Sequence, residues 1–159
     1  HWGDSVVRSF FIDTFNFFLY DGLRHCENPV LAGIAEKSVK EIAYQAQWSA
    51  EWVIRLGDGT EESHEKVQKS VNDLWMWTGE LFEKHPVFEK LGSSFIDFST
   101  LKTEWLEKVT LVLETATLQI PDPESWMQTG GRLGVHTSHL GFILAEMQSL
   151  PRTYPAASW

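Results

Sequence analysis

Asp13 is the first residue whose type and position could do chemistry. It shares a stripe with Phe10, Phe17 and Tyr20 in a helix-forming stretch that has few polar positions. A carboxylate taken out of water there is costly unless it is paired or binds a cation. Glu41 follows in the next helix-forming stretch, within Lys40-Glu41-Ile42-Ala43-Tyr44. A lone Asp or Glu on one helix and Glu-x-x-His on the next is the ligand pattern of carboxylate-bridged metal pairs in helical bundles. The spacing matters because residues i and i+3 share a helix face and reach the same metals. Here the i+3 position is Tyr44, and Gln45 follows it. A neutral phenol replaces imidazole poorly. Asp13, Glu41 and Tyr44 are therefore read as vestigial ligand positions. Both acids are expected to be buried and hydrogen-bonded to a tyrosine, a tryptophan N–H, an arginine or a neighbouring carboxyl.

His136 and His139 are the second metal candidate, with Glu146 further along the same helix pattern. His-x-x-His places two imidazoles on one face, but zinc or iron needs a third ligand and a polar surround. Capping or hydrogen-bonded histidines are the favoured reading. Gly130-Gly131-Arg132-Leu133-Gly134 has the glycine content of a phosphate cradle, yet it lacks Gly-Lys-Ser/Thr and no strand precedes it. A packed loop with positive-φ glycines is expected instead. Cys26 beside His25 is too weak a pair to suggest a nucleophile. Trp48/Trp52 and Trp75/Trp77 are expected in the core rather than stacked on a cofactor.

The elements that must position these residues all read as helices. The first runs from about Asp4 to Arg24 and is apolar on nearly every side, so it should be buried on nearly every side. The second starts at Asn28-Pro29, a cap followed by proline at the first helical position, and ends at Leu56-Gly57, with glycine suited to a left-handed cap. It has two apolar faces, Ala35, Val39, Ile42, Ala46 and Val53 on one and Tyr44, Trp48 and Trp52 on the other. The third begins near Thr60, buries Val67, Val71, Leu74, Thr78 and Leu81, and stops before His85-Pro86. An irregular connector with Phe88, Leu91, Phe95 and Phe98 leads to a fourth helix capped by Ser99 and ended by Pro121-Asp122-Pro123. Its inward side is Leu101, Trp105, Val109, Val112 and Ala116. The last helix spans about His136 to Leu150, with Leu140, Ile143, Leu144 and Met147 as its core side and Pro151 closing it. No alternating strand and no long internal repeat is seen. The fold class is all-α, a single helical domain over residues 1–159.

Composition narrows the function classes. The 159 residues include 13 basic and 22 acidic side chains, a formal charge of −9, which makes nucleic acid and anionic membrane surfaces poor partners. One cysteine excludes an intrachain disulfide, and no apolar run approaches the roughly 18 residues of a membrane span. Eight tryptophans and ten phenylalanines imply a thick core, a sizeable interface, or both. The chain opens His-Trp-Gly-Asp without Met or a leader pattern and enters an aromatic helix at once. An internal start or a truncation is the expectation.

Several of these residues also carry a family likeness. Phe11-Ile12-Asp13, Lys40-Glu41 with Tyr44, Arg55-Leu56-Gly57-Asp58-Gly59-Thr60 and Leu74-Trp75 occur in order. The run Gly130 to Gly141 follows, then Leu144-Ala145-Glu146-Met147-Gln148, Arg152, Tyr154-Pro155 and Trp159. Together they resemble the structural, C-type subunits of bacterial phenylacetyl-coenzyme A 1,2-epoxidases, over nearly the whole chain and most specifically in the C-terminal run. The resemblance implies a ferritin-like helical bundle whose first two core helices precede His1. It also implies a cytoplasmic, non-catalytic subunit, without a cofactor of its own, that packs on a related catalytic subunit holding a di-iron centre and binding the coenzyme A ester. Related sequences can have histidine where this chain has Gln45, which further weakens that site. Two other readings stand beside it. One is a metal-dependent oxygenase subunit active in its own right through Asp13, Glu41, His136, His139 or Glu146. The other is a generic helical adaptor. The uncovered apolar faces should meet a second copy in a homodimer, an absent N-terminal segment or the catalytic subunit.

Overall fold

The computed structural model describes residues 1–83, 85–87 and 96–158. It is helical throughout, with no strand among the described residues. Helix α1 (Trp2–Leu23) packs against α2 (Pro29–Gly57), α3 (Glu61–Trp75) and α4 (Phe98–Thr115), and α2 also touches α3 and α4. A 3₁₀ turn (Thr78–Phe82) follows α3. Two short helices, α5 (Ser138–Met147) and α6 (Ser149–Thr153), pack on each other beyond the bundle. No described helix is long and apolar enough to cross a membrane.

Local chemistry sets the helix ends. The Asn28 side chain accepts hydrogen bonds from the Val30 and Leu31 N–H groups, at 3.0 and 3.2 Å, and Pro29 supplies the first helical φ. Gly57 is not a left-handed cap. It is the last residue of α2, and a Cβ there would lie 2.6 Å from the Ala116 carbonyl oxygen. The glycine is needed because α2 and the end of α4 touch backbone to backbone. Thr60 caps α3: its hydroxyl accepts from the Ser63 N–H at 3.3 Å, and the Ser63 hydroxyl accepts from the Thr60 N–H at 3.0 Å.

Several boundaries differ from the sequence reading. Helix α3 stops at Trp75, ten residues before His85. The Thr78 hydroxyl donates to the Trp75 carbonyl at 2.8 Å, and Gly79 leaves room for the Met127 side chain, so the chain tightens instead of continuing. Asp97, not Ser99, caps α4. Its carboxylate accepts from the Ser99 hydroxyl and N–H and from the Thr100 hydroxyl, at 2.6 to 2.9 Å, and these bonds hold it down at a pKa of about 2. That helix ends at Thr115, well before Pro121. Thr117 takes a left-handed φ of 59° and the Leu118 N–H bonds the Leu113 carbonyl. The last helix starts at Ser138 and breaks at Gln148. Pro151 sits in the first turn of α6, where its missing N–H costs little. Phe88, Leu91 and Phe95 lie outside the described residues.

The core is aromatic. Phe11, Trp75 and Trp105 meet with ring centroids 5.8 to 5.9 Å apart, and Phe82 joins Trp105 at 5.4 Å. The Trp105 indole N–H donates to the Phe11 carbonyl at 3.0 Å, and that of Trp75 to the Asp122 carbonyl at 3.2 Å. Val6, Val7, Phe10, Val53, Val71, Val109 and Leu113 are fully buried around them. The inward sides read for the third and fourth helices are the buried or half-buried sides. The α5 assignment is corrected. Ile143, Leu144 and Met147 are exposed and Leu140 is half-buried, so this side of the helix does not join the core. Trp105→Phe is expected to lower urea-unfolding stability by about 1–3 kcal/mol through the unmade buried hydrogen bond and lost volume. Phe142→Ala in α5 should stay within about 0.5 kcal/mol of the parent.

Candidate functional site

Helices α1 and α2 bring the Asp13 carboxyl to the Ser49 hydroxyl. Asp13 is half-buried. Burial raises its carboxyl above the ordinary 3.8, while the Ser49 hydroxyl and the Arg8 cation pull the other way. Ser49 is fully buried and its hydroxyl donates to the Gln45 carbonyl at 3.0 Å. Glu41 and Tyr44 are not buried with Asp13. Glu41 is exposed and Tyr44 is 69% exposed, because they sit on the side of α2 away from the core. The expectation of two buried, mutually satisfied acids is therefore wrong for Glu41. Its helix face is open, and an open face lets a carboxylate keep its water.

His136, His139 and Glu146 are likewise exposed. The two histidines border a cavity of about 300 Å³ with Trp77, Glu80 and Gln128, and Glu146 is not among its lining residues. The Glu80 carboxylate is already engaged by the Gly131 N–H at 3.1 Å. Among the described residues, no three His, Cys, Asp or Glu side chains gather into a group able to hold a metal ion. The described residues do not fit a carboxylate-bridged metal pair.

The glycine loop is a structural latch. Gly130 N–H donates to Glu83 at 2.7 Å, and Arg132 donates to the Glu80 and Leu81 carbonyls at 3.2 and 2.9 Å. Gly130 and Gly134 take φ of 94° and 88°, and a Cβ on Gly131 would clash with the Glu80 carboxylate. The loop N–H groups that could cradle a phosphate already hold carboxylates of this chain. Cys26 is buried, with its sulfur 3.5 Å from the Asn28 carbonyl oxygen. Trp75 is a core residue, but Trp48 and Trp77 are exposed and Trp52 is half-buried. Trp2 and Trp48 each meet Trp52 edge-on, at 6.5 and 6.1 Å.

Sequence reasoning missed the surface on α5 and α6. Phe142 is 71% and Met147 72% exposed, and Ile143, Leu144, Leu150 and Tyr154 are exposed beside them. The signal was present in Phe142-Ile143-Leu144, three consecutive apolar residues that no single buried helix face accommodates.

Fold and site thus define a helical-bundle chain that carries open apolar surfaces. It belongs to the phenylacetic acid catabolic protein family, whose model matches residues 1–159. It is similar to the C-type subunit of the 1,2-phenylacetyl-CoA epoxidase of Escherichia coli (strain K12), with 38% identity over 161 aligned residues. That match covers 100% of this chain and 64% of the relative, so the chain spans less than two thirds of the relative's length.

The raised Asp13 carboxyl sets a pH dependence. The folded chain holds a proton there that the unfolded chain has released, so stability falls as pH rises from the ordinary carboxylate value through the folded one. Asp13→Asn should remove that fall. The variant should match the parent at pH 3 and exceed it at pH 7 by about 0.5 kcal/mol or less, read from urea midpoints at the two pH values.

Proposed function

We propose that this chain is a non-catalytic structural component of a multicomponent phenylacetyl-CoA 1,2-epoxidase in the cytoplasm. In aerobic phenylacetate breakdown it packs against, and stabilises, a catalytic subunit that carries the di-iron centre. Residues 1–159 act as one helical domain of that component and hold no metal or cofactor of their own. The observation that carries this reading is the contrast between two surfaces. The vestigial ligand positions Asp13, Glu41 and Tyr44 do not converge, whereas α5 and α6 offer exposed apolar side chains well placed for a partner. Family membership and the similarity to a protein named as a subunit support the same direction.

The physical role is helical-face packing. Burying Phe142, Met147 and Leu150 against a partner would contribute about 1.5–3 kcal/mol each. That gross gain offsets part of the cost of association, which is on the order of 4–15 kcal/mol.

Two measurements test the reading. The purified chain is expected to carry iron far below one atom per chain. Two irons per chain, lost on Asp13→Ala, would instead make it an oxygenase subunit in its own right. Co-purification with the catalytic subunit should be retained by the parent. Phe142→Asp with Met147→Asp should weaken it at least about tenfold, since each buried apolar side chain lost costs more than the 1.4 kcal/mol of one decade. Unchanged binding by the double variant would remove α5 from the interface.

A further inference from the structure

His136 and His139 find no third metal ligand among the described residues, but they share a cavity with side chains of the bundle. It lies at the root of α5 and has a volume of about 300 Å³. Trp77 and Glu80 enter it from the chain at the 3₁₀ turn, and Gln128 from the stretch before the glycine loop. The arm supplies the two histidines together with Leu140 and Ile143. A dry apolar cavity of roughly 150 Å³ takes a benzene ring, so this one has room for a long side chain.

The lining mixes apolar surface with hydrogen-bond acceptors. Glu80 is the only Asp, Glu, Lys or Arg among the described lining residues. One of its carboxylate oxygens accepts from the Gly131 N–H, and the other accepts no hydrogen bond among the described residues. The Gln128 side-chain nitrogen donates to the Thr129 carbonyl at 3.0 Å, which leaves its amide oxygen as an acceptor. Each imidazole offers ring nitrogens, and neither ring is hydrogen-bonded among the described residues. Arg132 does not line the cavity; it donates to the Glu80 and Leu81 carbonyls. The first turn of α5 also borders the space, and a helix N-terminus favours anions. An anion seated here would meet the Glu80 carboxylate. What this lining lacks is a cation that brings several donors.

We propose that this cavity receives an arginine side chain presented by the catalytic subunit. The inference rests on the reading of α5 as the partner-facing arm, and it names what the partner inserts at the root of that arm. A guanidinium is planar, carries several N–H donors in a fixed fork and stacks on aromatic faces. Glu80, Gln128 and the imidazoles are the acceptors for such a fork, and Trp77, 37% exposed, is the aromatic face. The alkyl stem of the arginine has Leu140 and Ile143 to pack on. A lysine brings the charge without the plane or the fork. Net charge points the same way, since a chain of formal charge −9 selects a partner surface with basic side chains. Ile143 belongs both to the cavity lining and to the exposed apolar side of α5. An arginine seated there would adjoin the face that packs on the partner, where surrounding contacts shield a charged anchor from water.

Two measurements test it. In the first, N-acetyl-arginine N-methylamide is titrated into the nitrogen-15-labelled chain, and the Trp77 indole and Gln128 side-chain amide signals are followed by NMR. Both should shift and saturate. Glu80→Gln, which keeps an oxygen for the Gly131 N–H and so preserves the latch, should weaken that binding by about tenfold. The norleucine and glutamate analogues of the probe should leave the two signals in place. Equal shifts with either analogue, or an unchanged titration of the Glu80→Gln variant, would overturn the proposal. In the second, affinity for the catalytic subunit is measured against salt. Glu80→Gln should lower it by about tenfold at low salt, and the difference should shrink as salt rises. If Phe142→Asp with Met147→Asp weakens the complex but Glu80→Gln does not, the arm binds the partner and the arginine proposal falls. If the parent chain does not bind the catalytic subunit, the proposed role falls and takes the source of the arginine with it, while the titration still decides the chemistry of the cavity.

Discussion

The contact on which the bundle depends is the one between Trp105 and Phe11. The indole of α4 sits within the ring cluster of Phe11, Trp75 and Phe82 and donates its N–H to the Phe11 carbonyl. An apolar ring can slide along a greasy helix, but a hydrogen bond to one carbonyl has one register. This bond therefore fixes α4 against α1, and the rings around it fix α3 in turn. The buried valines and Leu113 fill the space that this arrangement leaves.

The same arrangement leaves other surfaces unsatisfied. The three other main helices cover one side of α1, and Ser5, Ser9, Ile12 and Asn16 lie exposed or half-buried on the other. Half-burial of Asp13 is the electrostatic sign of that state: the carboxyl feels desolvation but has Ser49 and the charge of Arg8 in place of a full ion pair. On α5 and α6 the imbalance is larger still, since every residue from Gly141 to Met147 is exposed. Such a helix gains most of its stability from packing rather than from propensity, so a partner surface is part of its physics. The glycine loop that leads to it is the reverse case. Glu80, Glu83 and Arg132 tie that loop firmly to the 3₁₀ turn, which gives the arm a defined root.

Much of the fold was legible in the residues. The cap at Asn28, the start of α3 near Thr60 and the inward stripe of α4 follow from local propensity and a 3.6-residue period. Boundaries that depend on contacts were not legible. The end of α3 depends on Met127 packing at Gly79, and the role of Gly57 depends on the nearness of Ala116. Both neighbours are about fifty or more residues away along the chain. Nor did periodicity reveal which apolar face is covered. Tyr44 and Val53 are equally plausible core residues on a helical wheel, yet one is exposed and the other fully buried.

Sequence alone determined the all-helical class, the absence of an imidazole at the i+3 position after Glu41, and the likeness to one family of subunits. These are properties of residue type and short-range spacing, and no neighbour can change them. Only the tertiary structure decided that Glu41 and Tyr44 look outward, that the glycine loop binds this chain's own carboxylates, and that α5 stands clear of the core. Each of those turns on which surfaces meet across distant parts of the chain. A hydrophobic pattern states that a face should be buried, but not what is there to bury it.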